Sequence, residues 1–174
     1  AGGGIWKSQN GGQSFAPIFD KYNQSIGALA VEPGNARVVY AGTGESNMRN
    51  SVSIGEGLYK TTDGGSNWQK LGLDSTEHIS KIIVDPTDKK LVYVAAPGPL
   101  FKSSVHRGLY KSTDAGKTWE KILYINENTG CSDIAIHPTK SNILFASTWE
   151  FRRKPFSFVS GGAGSALYKS NDGG

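Results

Sequence analysis

One cysteine, Cys131, stands among 174 residues, so no internal disulfide framework can form. Long apolar runs are missing as well. Nothing approaches the roughly eighteen consecutive apolar residues of a membrane helix, which excludes a helical span. No segment keeps a helical hydrophobic period over about ten residues, which removes bundles and helical solenoids. Histidine is scarce, at 3, and no cluster has metal-ligand spacing, so neither metal nor cofactor is expected. Charge of one sign is not concentrated either. The 19 Lys and Arg against 15 Asp and Glu are dispersed, apart from Arg152-Arg153-Lys154. A nucleic-acid reader gathers its cations on one face, so nucleic acid is not an expected partner. The opening Ala1-Gly2-Gly3-Gly4 carries neither the basic nor the apolar region of a signal peptide.

What is abundant is glycine, at 23, and it is periodic. Gly4-Ile5-Trp6-Lys7-Ser8-Gln9-Asn10-Gly11-Gly12 aligns with Gly57-Leu58-Tyr59-Lys60-Thr61-Thr62-Asp63-Gly64-Gly65. The same pattern returns at 108–116 and 166–174, with Asp114 and Asp172 in the acidic position. The intervals between Asn10, Asp63, Asp114 and Asp172 are 53, 51 and 58 residues. Three copies continue into an aromatic at one register, Phe15, Trp68 and Trp119. Between them a second element recurs, Ile26–Pro33, Ile79–Pro86 and Cys131–Pro138, each followed by an apolar run around Tyr40, Tyr93 or Phe145. Short β-branched and apolar runs bounded by Gly, Pro, Asp and Asn read as strands.

Four strands per unit at this spacing predict an all-β propeller of antiparallel blades. Strands C and D of one blade occupy 1–18, full blades 19–73 and 74–125, and strands A to C of a further blade 126–174. Three and a half units leave raw sheet edges, so the remaining blades of a larger ring, or a partner chain, are expected to complete it. The recurring carboxylate has a structural rationale: in a C–D hairpin it accepts backbone N–H bonds of the turn. Asn10, Asp63, Asp114 and Asp172, with Trp68 and Trp119, are therefore assigned to structure. The lysines of the motif, Lys7, Lys60, Lys111 and Lys169, are expected on exposed strand faces. Cys131, in the register of Ile26 and Ile79, is expected to be a small core hydrophobe.

The stretch Ser112-Thr113-Asp114-Ala115-Gly116-Lys117-Thr118-Trp119 resembles the bacterial neuraminidase repeat, or Asp box, and the wider pattern resembles sortilin-like and xyloglucanase-like propellers. The resemblance covers essentially the whole chain. It implies a secreted, periplasmic or cell-surface location. The Asp box is specific for fold and not for activity, since sialidases, xyloglucanases and sortilins share it.

In such blades the A–B and C–D turns share one end, and the B–C loops and D–A connectors the other. The second end varies between units: 44–56, 97–107 and 149–165 from B–C, with 20–25, 74–78 and 124–130 from D–A. Function on a rigid scaffold gathers in such loops. Trp149-Glu150-Phe151-Arg152-Arg153-Lys154-Pro155-Phe156 combines aromatics for stacking with arginines that fork onto carboxylates. Trp149, Glu150, Arg152 and Arg153 are candidate ligand contacts, and so are Asn47 and Arg49. The alternative is a loop whose aromatics pack on the neighbouring blade while its cations face water.

Glycoside hydrolysis needs two carboxylates about 5–9.5 Å apart. Glu45, Glu56, Asp74, Glu77, Glu127 and Glu150 lie at the loop end, with Glu45 and Glu150 the catalytic candidates, though no spacing selects a pair. Phe151-Arg152-Arg153-Lys154-Pro155 differs from the sialidase Phe-Arg-Ile-Pro motif by an extra residue and follows several Asp boxes, so it is read as coincidence. The expected role is a non-catalytic binding or scaffold module for a peptide, protein or glycan. The alternative is part of a xyloglucanase-like or sialidase-like glycoside hydrolase.

Overall fold

The computed structural model describes residues 2–174 as an all-β chain of fourteen strands in four antiparallel sheets. The first sheet pairs β1 (Trp6–Lys7) with β2 (Ala16–Pro17). The second runs β3 (Ile26–Glu32), β4 (Asn35–Thr43), β5 (Leu58–Thr61) and β6 (Gln69–Lys70). The third repeats it with β7 (Lys81–Val84), β8 (Val92–Ala96), β9 (Gly108–Ser112) and β10 (Glu120–Leu123). The fourth contains β11 (Thr129–His137), β12 (Lys140–Lys154), β13 (Ser157–Ser160) and β14 (Leu167–Ser170). The second and third sheets keep sequential up-and-down order, in the fourth both β13 and β14 pair with β12, and face-to-face contact between successive sheets makes them blades of a propeller.

Alternation of small and β-branched residues drives the packing. Val38, Tyr40, Leu58, Leu71, Ile79, Ile82, Val84, Val92 and Val94 form one buried cluster between the second and third sheets. Tyr93, Leu109, Cys131, Ile134, Leu144 and Ala146 form the next, between the third and fourth. Cys131 is fully buried there, and burial pushes its thiol up to about 12. It packs as an apolar residue.

The Asp boxes hold the C–D turns. Asp63 Oδ1 accepts the N–H groups of Ser66 and Asn67 at 2.8 and 3.0 Å, and the Thr61 hydroxyl at 2.8 Å. Asp114 repeats this with Lys117, Thr118 and Ser112. These donors stabilise the charged form, so both carboxyls lie well below the usual range. Gly116 sits at φ 95°, where an added Cβ would lie 2.6 Å from Leu71 Cδ1 of the preceding sheet. Conformation and close approach both select glycine there.

Successive sheets are joined by two repeated bonds. The indole Nε1 of Trp68 donates to Ile18 O, and that of Trp119 to Leu71 O, both at 2.9 Å. In the other direction, Lys7 Nζ donates to Gly64 O at 2.9 Å, Lys60 Nζ to Ala115 O at 3.3 Å and Lys111 Nζ to Gly173 O at 2.7 Å. Tyr40 and Tyr93 donate their hydroxyls to the same Ala115 and Gly173 carbonyls. Three of the four lysines expected on open strand faces are therefore half-buried clasps on the next Asp box. The neighbouring sheet covers the face that a single strand would expose; only Lys169 remains exposed.

Candidate functional site

The end opposite the Asp boxes is built from interlocked connections. Gly44 N donates to Ser25 O, and Gly55 N to Glu77 O, tying the loop after β4 to the connectors on either side of it. Ser104 N donates to Glu127 O and Arg153 N to Leu100 O, so the loop after β8 is held by the connector before β11 and by β12. Between these loops lies an open crevice of about 410 Å³, lined by Ile54, Asp74, Ser75, Glu77, Lys102 and His106 among others.

The crevice carries two carboxylates on one short connector. Asp74–Thr76 forms a single 3₁₀ turn flanked by Leu73 at φ 61° and Glu77 at φ 59°. Non-glycine residues at such positive φ store strain of about 1–3 kcal/mol each, and such positions concentrate at functional sites. Asp74 pairs with Lys70, while Glu77 Oε1 lies 2.5 Å from Lys102 Nζ across the crevice. Beneath them His78 is almost fully buried, and burial draws its pKa down against the opposing charges of Glu77 and Glu45.

Glu45 and Glu150 are not brought together. Glu45 follows the second sheet and Glu150 lies in the fourth, with the third packed between. Each braces its own loop. Glu45 Oε1 accepts from Arg49 Nε at 2.7 Å, and this bond lowers its carboxyl to about 2 despite burial. Glu150 Oε2 accepts from Gly164 N at 2.9 Å. Asn47 and Arg49 are exposed on the same loop as Glu45.

Most of the expected loop at 149–165 is strand instead. β12 runs on for 15 residues, and β13 returns along it as a hairpin with Arg152 opposite Val159 and Arg153 opposite Phe158. The aromatics differ in depth rather than in face, since Phe158 lies edge-on to Trp149 at a centroid distance of 5.9 Å. Phe151 is buried and stacks with Trp149 at a centroid distance of 4.6 Å. Phe156, Phe158 and Val159 are exposed. Arg153 lies over the Phe158 ring at 5.5 Å, and Arg152 Nη1 donates to Ser103 Oγ at 3.0 Å. The two arginines thus engage the protein rather than simply facing water.

The residue that organises this end is Arg107, which single-sequence reasoning passed over. It is fully buried, sits 4.2 Å over the Phe151 ring, and donates to the carbonyls of Pro97, Pro99 and Lys102. Burial, then the charge of Arg152, lowers its pKa to about 10. The available signal was its place directly before the Gly108 that opens a strand. Lys102, Ser104 and His106 also line the crevice, and their placement depends on that anchored loop. Among the described residues no group of acidic, histidine or cysteine side chains could hold a metal ion, and no helix is long and apolar enough to cross a membrane.

A xyloglucanase of a Paenibacillus species is 28% identical over 149 residues, covering 76% of this chain. Xyloglucanase Xgh74A of Acetivibrio thermocellus is 22% identical over an alignment of 195 positions, covering 99%. The chain spans only 14% and 22% of those two proteins. Among solved structures, an ancestral GH74 enzyme superposes with a TM-score of 0.63 at 21% identity, covering 91% of this chain and 23% of that one. The Niastella koreensis GH74 enzyme gives 0.61 at 22%, covering 94% and 24%. The chain thus corresponds to part of a propeller. Residues 3–123 and 56–174 both match the Sortilin-Vps10 model, described as sortilin, neurotensin receptor 3, and the chain belongs to that family.

Proposed function

We propose that this chain supplies blades of an extracellular glycoside-hydrolase propeller acting on a xyloglucan-like polysaccharide, with its loop end turned to the glycan. The observation that carries this reading is the similarity to two xyloglucanases across most of the chain. The crevice supports it: Asp74, Glu77, Lys102 and His106 offer sugar hydroxyls both acceptors and donors, and Ile54 gives an apolar wall. Cleavage of a glycosidic bond requires a general acid and a second carboxylate flanking it. Asp74 and Glu77 are the carboxylates that line the crevice, each paired with a lysine, whereas Glu45 and Glu150 lie outside its lining.

Affinity electrophoresis in gels containing soluble xyloglucan tests this. The chain should be retarded, and Glu77→Gln with Lys102→Met should reduce the retardation without shifting the melting temperature. Unretarded migration of the folded chain, with no release of reducing sugar, would overturn the proposal.

A second reading, a non-catalytic binding module for a peptide, protein or glycan, is favoured by one observation: the exposed Phe156, Phe158 and Val159 on a hairpin carrying Arg153 and Lys154. Glycan binding without turnover supports it. A paired Arg152→Ala, Arg153→Ala change that leaves affinity untouched would remove the hairpin from the binding surface. An extracytoplasmic location accompanies either reading.

A further inference from the structure

Charge at the loop end is balanced on one side of residues 97–107 and unbalanced on the other. In the crevice each carboxylate has its lysine, Lys70 for Asp74 and Lys102 for Glu77. Toward the fourth sheet stand Arg107, Arg152, Arg153 and Lys154. Among the described residues none of these four has a carboxylate within ion-pair distance. The acidic residue of the same strand, Glu150, is occupied by Gly164 N at 2.9 Å.

The cations are gathered by one loop. Arg107 donates to the carbonyls of Pro97, Pro99 and Lys102, Arg152 Nη1 to Ser103 Oγ, and Arg153 N to Leu100 O. After burial, the charge of Arg152 is the next cause that lowers the Arg107 pKa, so the two guanidiniums feel each other. The Nε atoms of both are buried without an acceptor. Arg152 is half-buried, Arg153 is half-buried over the Phe158 ring, and Lys154 is exposed. Like charges held together without a counter-charge cost free energy, which an incoming anion offsets. Three of the four are arginines, whose planar fork matches a carboxylate. Exposed Phe101, Phe156 and Phe158 lie in the same loop and hairpin and add apolar surface for a ring-bearing polymer.

We propose that this loop-and-hairpin face takes the acidic groups of a glycan, so that the polymer in the crevice carries uronate carboxylates toward the fourth sheet. This placement rests on the glycan reading for the polymer and adds the charge of its substituents. Hydroxyl groups meet Glu77, Lys102 and His106, and carboxylates meet Arg152, with Arg153 and Lys154 beyond it. Arg107 is sealed beneath the surface. It touches no ligand, but it holds the loop and contributes to the positive field.

Titration calorimetry at physiological ionic strength tests this with a neutral soluble xyloglucan, the same polymer after oxidation of its side-chain primary hydroxyls to carboxylates, and the methyl ester of the oxidised form. The carboxylated polymer should bind at least about tenfold more tightly than the other two. Arg152→Gln with Arg153→Gln should abolish that preference. Lys117→Ser with Lys140→Ser, which removes two exposed cations from the Asp-box end, should leave it unchanged. Amide shifts caused by the carboxylated polymer in the unaltered chain should fall on residues 102–104 and 152–154. Equal affinity for the three polymers would overturn the proposal and leave the xyloglucan reading standing. Binding of the carboxylated form alone would uphold the proposal and remove the neutral polymer as ligand. Binding of none by a chain that melts cooperatively would remove both. Equal losses in the two paired variants would show attraction by net charge only, and polyglutamate bound as tightly as the carboxylated glycan would assign the face to acidic protein. Either result, or amide shifts confined to other residues, would overturn the proposal.

Discussion

The two ends of the sheets solve the same problem in opposite ways. At the Asp-box end, one small set of residues is reused, and its carboxylates, lysines and indoles all bond to backbone groups. At the loop end each connection is different and is held by its own partners: Arg49 for Glu45, Lys102 for Glu77, Arg107 for three carbonyls. Backbone acceptors survive any change of neighbouring side chain, so the first end can repeat. The second can diverge because no bond there must be made four times.

The largest effect should come from breaking the repeated end. Trp119→Ala removes a packed indole and its bond to Leu71 O. Large-to-small precedent gives a loss of about 3 kcal/mol in urea unfolding. Arg107→Met tests the divergent end. It removes the guanidinium from over Phe151 and leaves three carbonyls without their charged donor, at a cost of about 2 kcal/mol. A larger loss for Arg107→Met than for Trp119→Ala would reverse the assignment of stability between the ends.

The comparison also predicts an order of failure in acid. His78 is held neutral by burial, so the stability it contributes is present above the ordinary histidine range of about 6.5 and fades as pH falls below it. The carboxyls of Glu45, Asp63 and Asp114 are depressed, so their contribution is complete above about 4 and is lost as pH falls toward their folded values. Amide exchange should therefore quicken near His78 before it does in the Asp-box turns. Turns that open first would contradict this. Smallest of all, Lys60→Met should cost about 0.5 kcal/mol, because one half-buried bond to Ala115 O is lost.

The repeat made the sheets legible. Constant Asp-x-Gly spacing located the turns, and the register of Cys131 against Ile79 placed it in the core. The lysines were misjudged because burial was read from a single strand, although their constant register beside a constant carbonyl encoded an inter-sheet bond. The hairpin at 149–160 was hidden by its charges. Its alternation of Trp149, Phe151 and Arg153 against Glu150, Arg152 and Lys154 is a strand period, obscured by Pro155 and Phe156 at the turn. The burial of Arg107 had no acidic partner to announce it, since its hydrogen bonds run to carbonyls that only the folded loop assembles.

The length of β12 has a mechanical consequence. At about 3.3 Å per residue, its stretch from Leu144 to Lys154 forms one spoke beyond the register shift near the start of the strand. Leu144 and Ala146 anchor it in the interior, and Lys154 reaches solvent. Anything that grips the outer tip therefore pulls along a strand whose inner residues pack at the interface between two sheets.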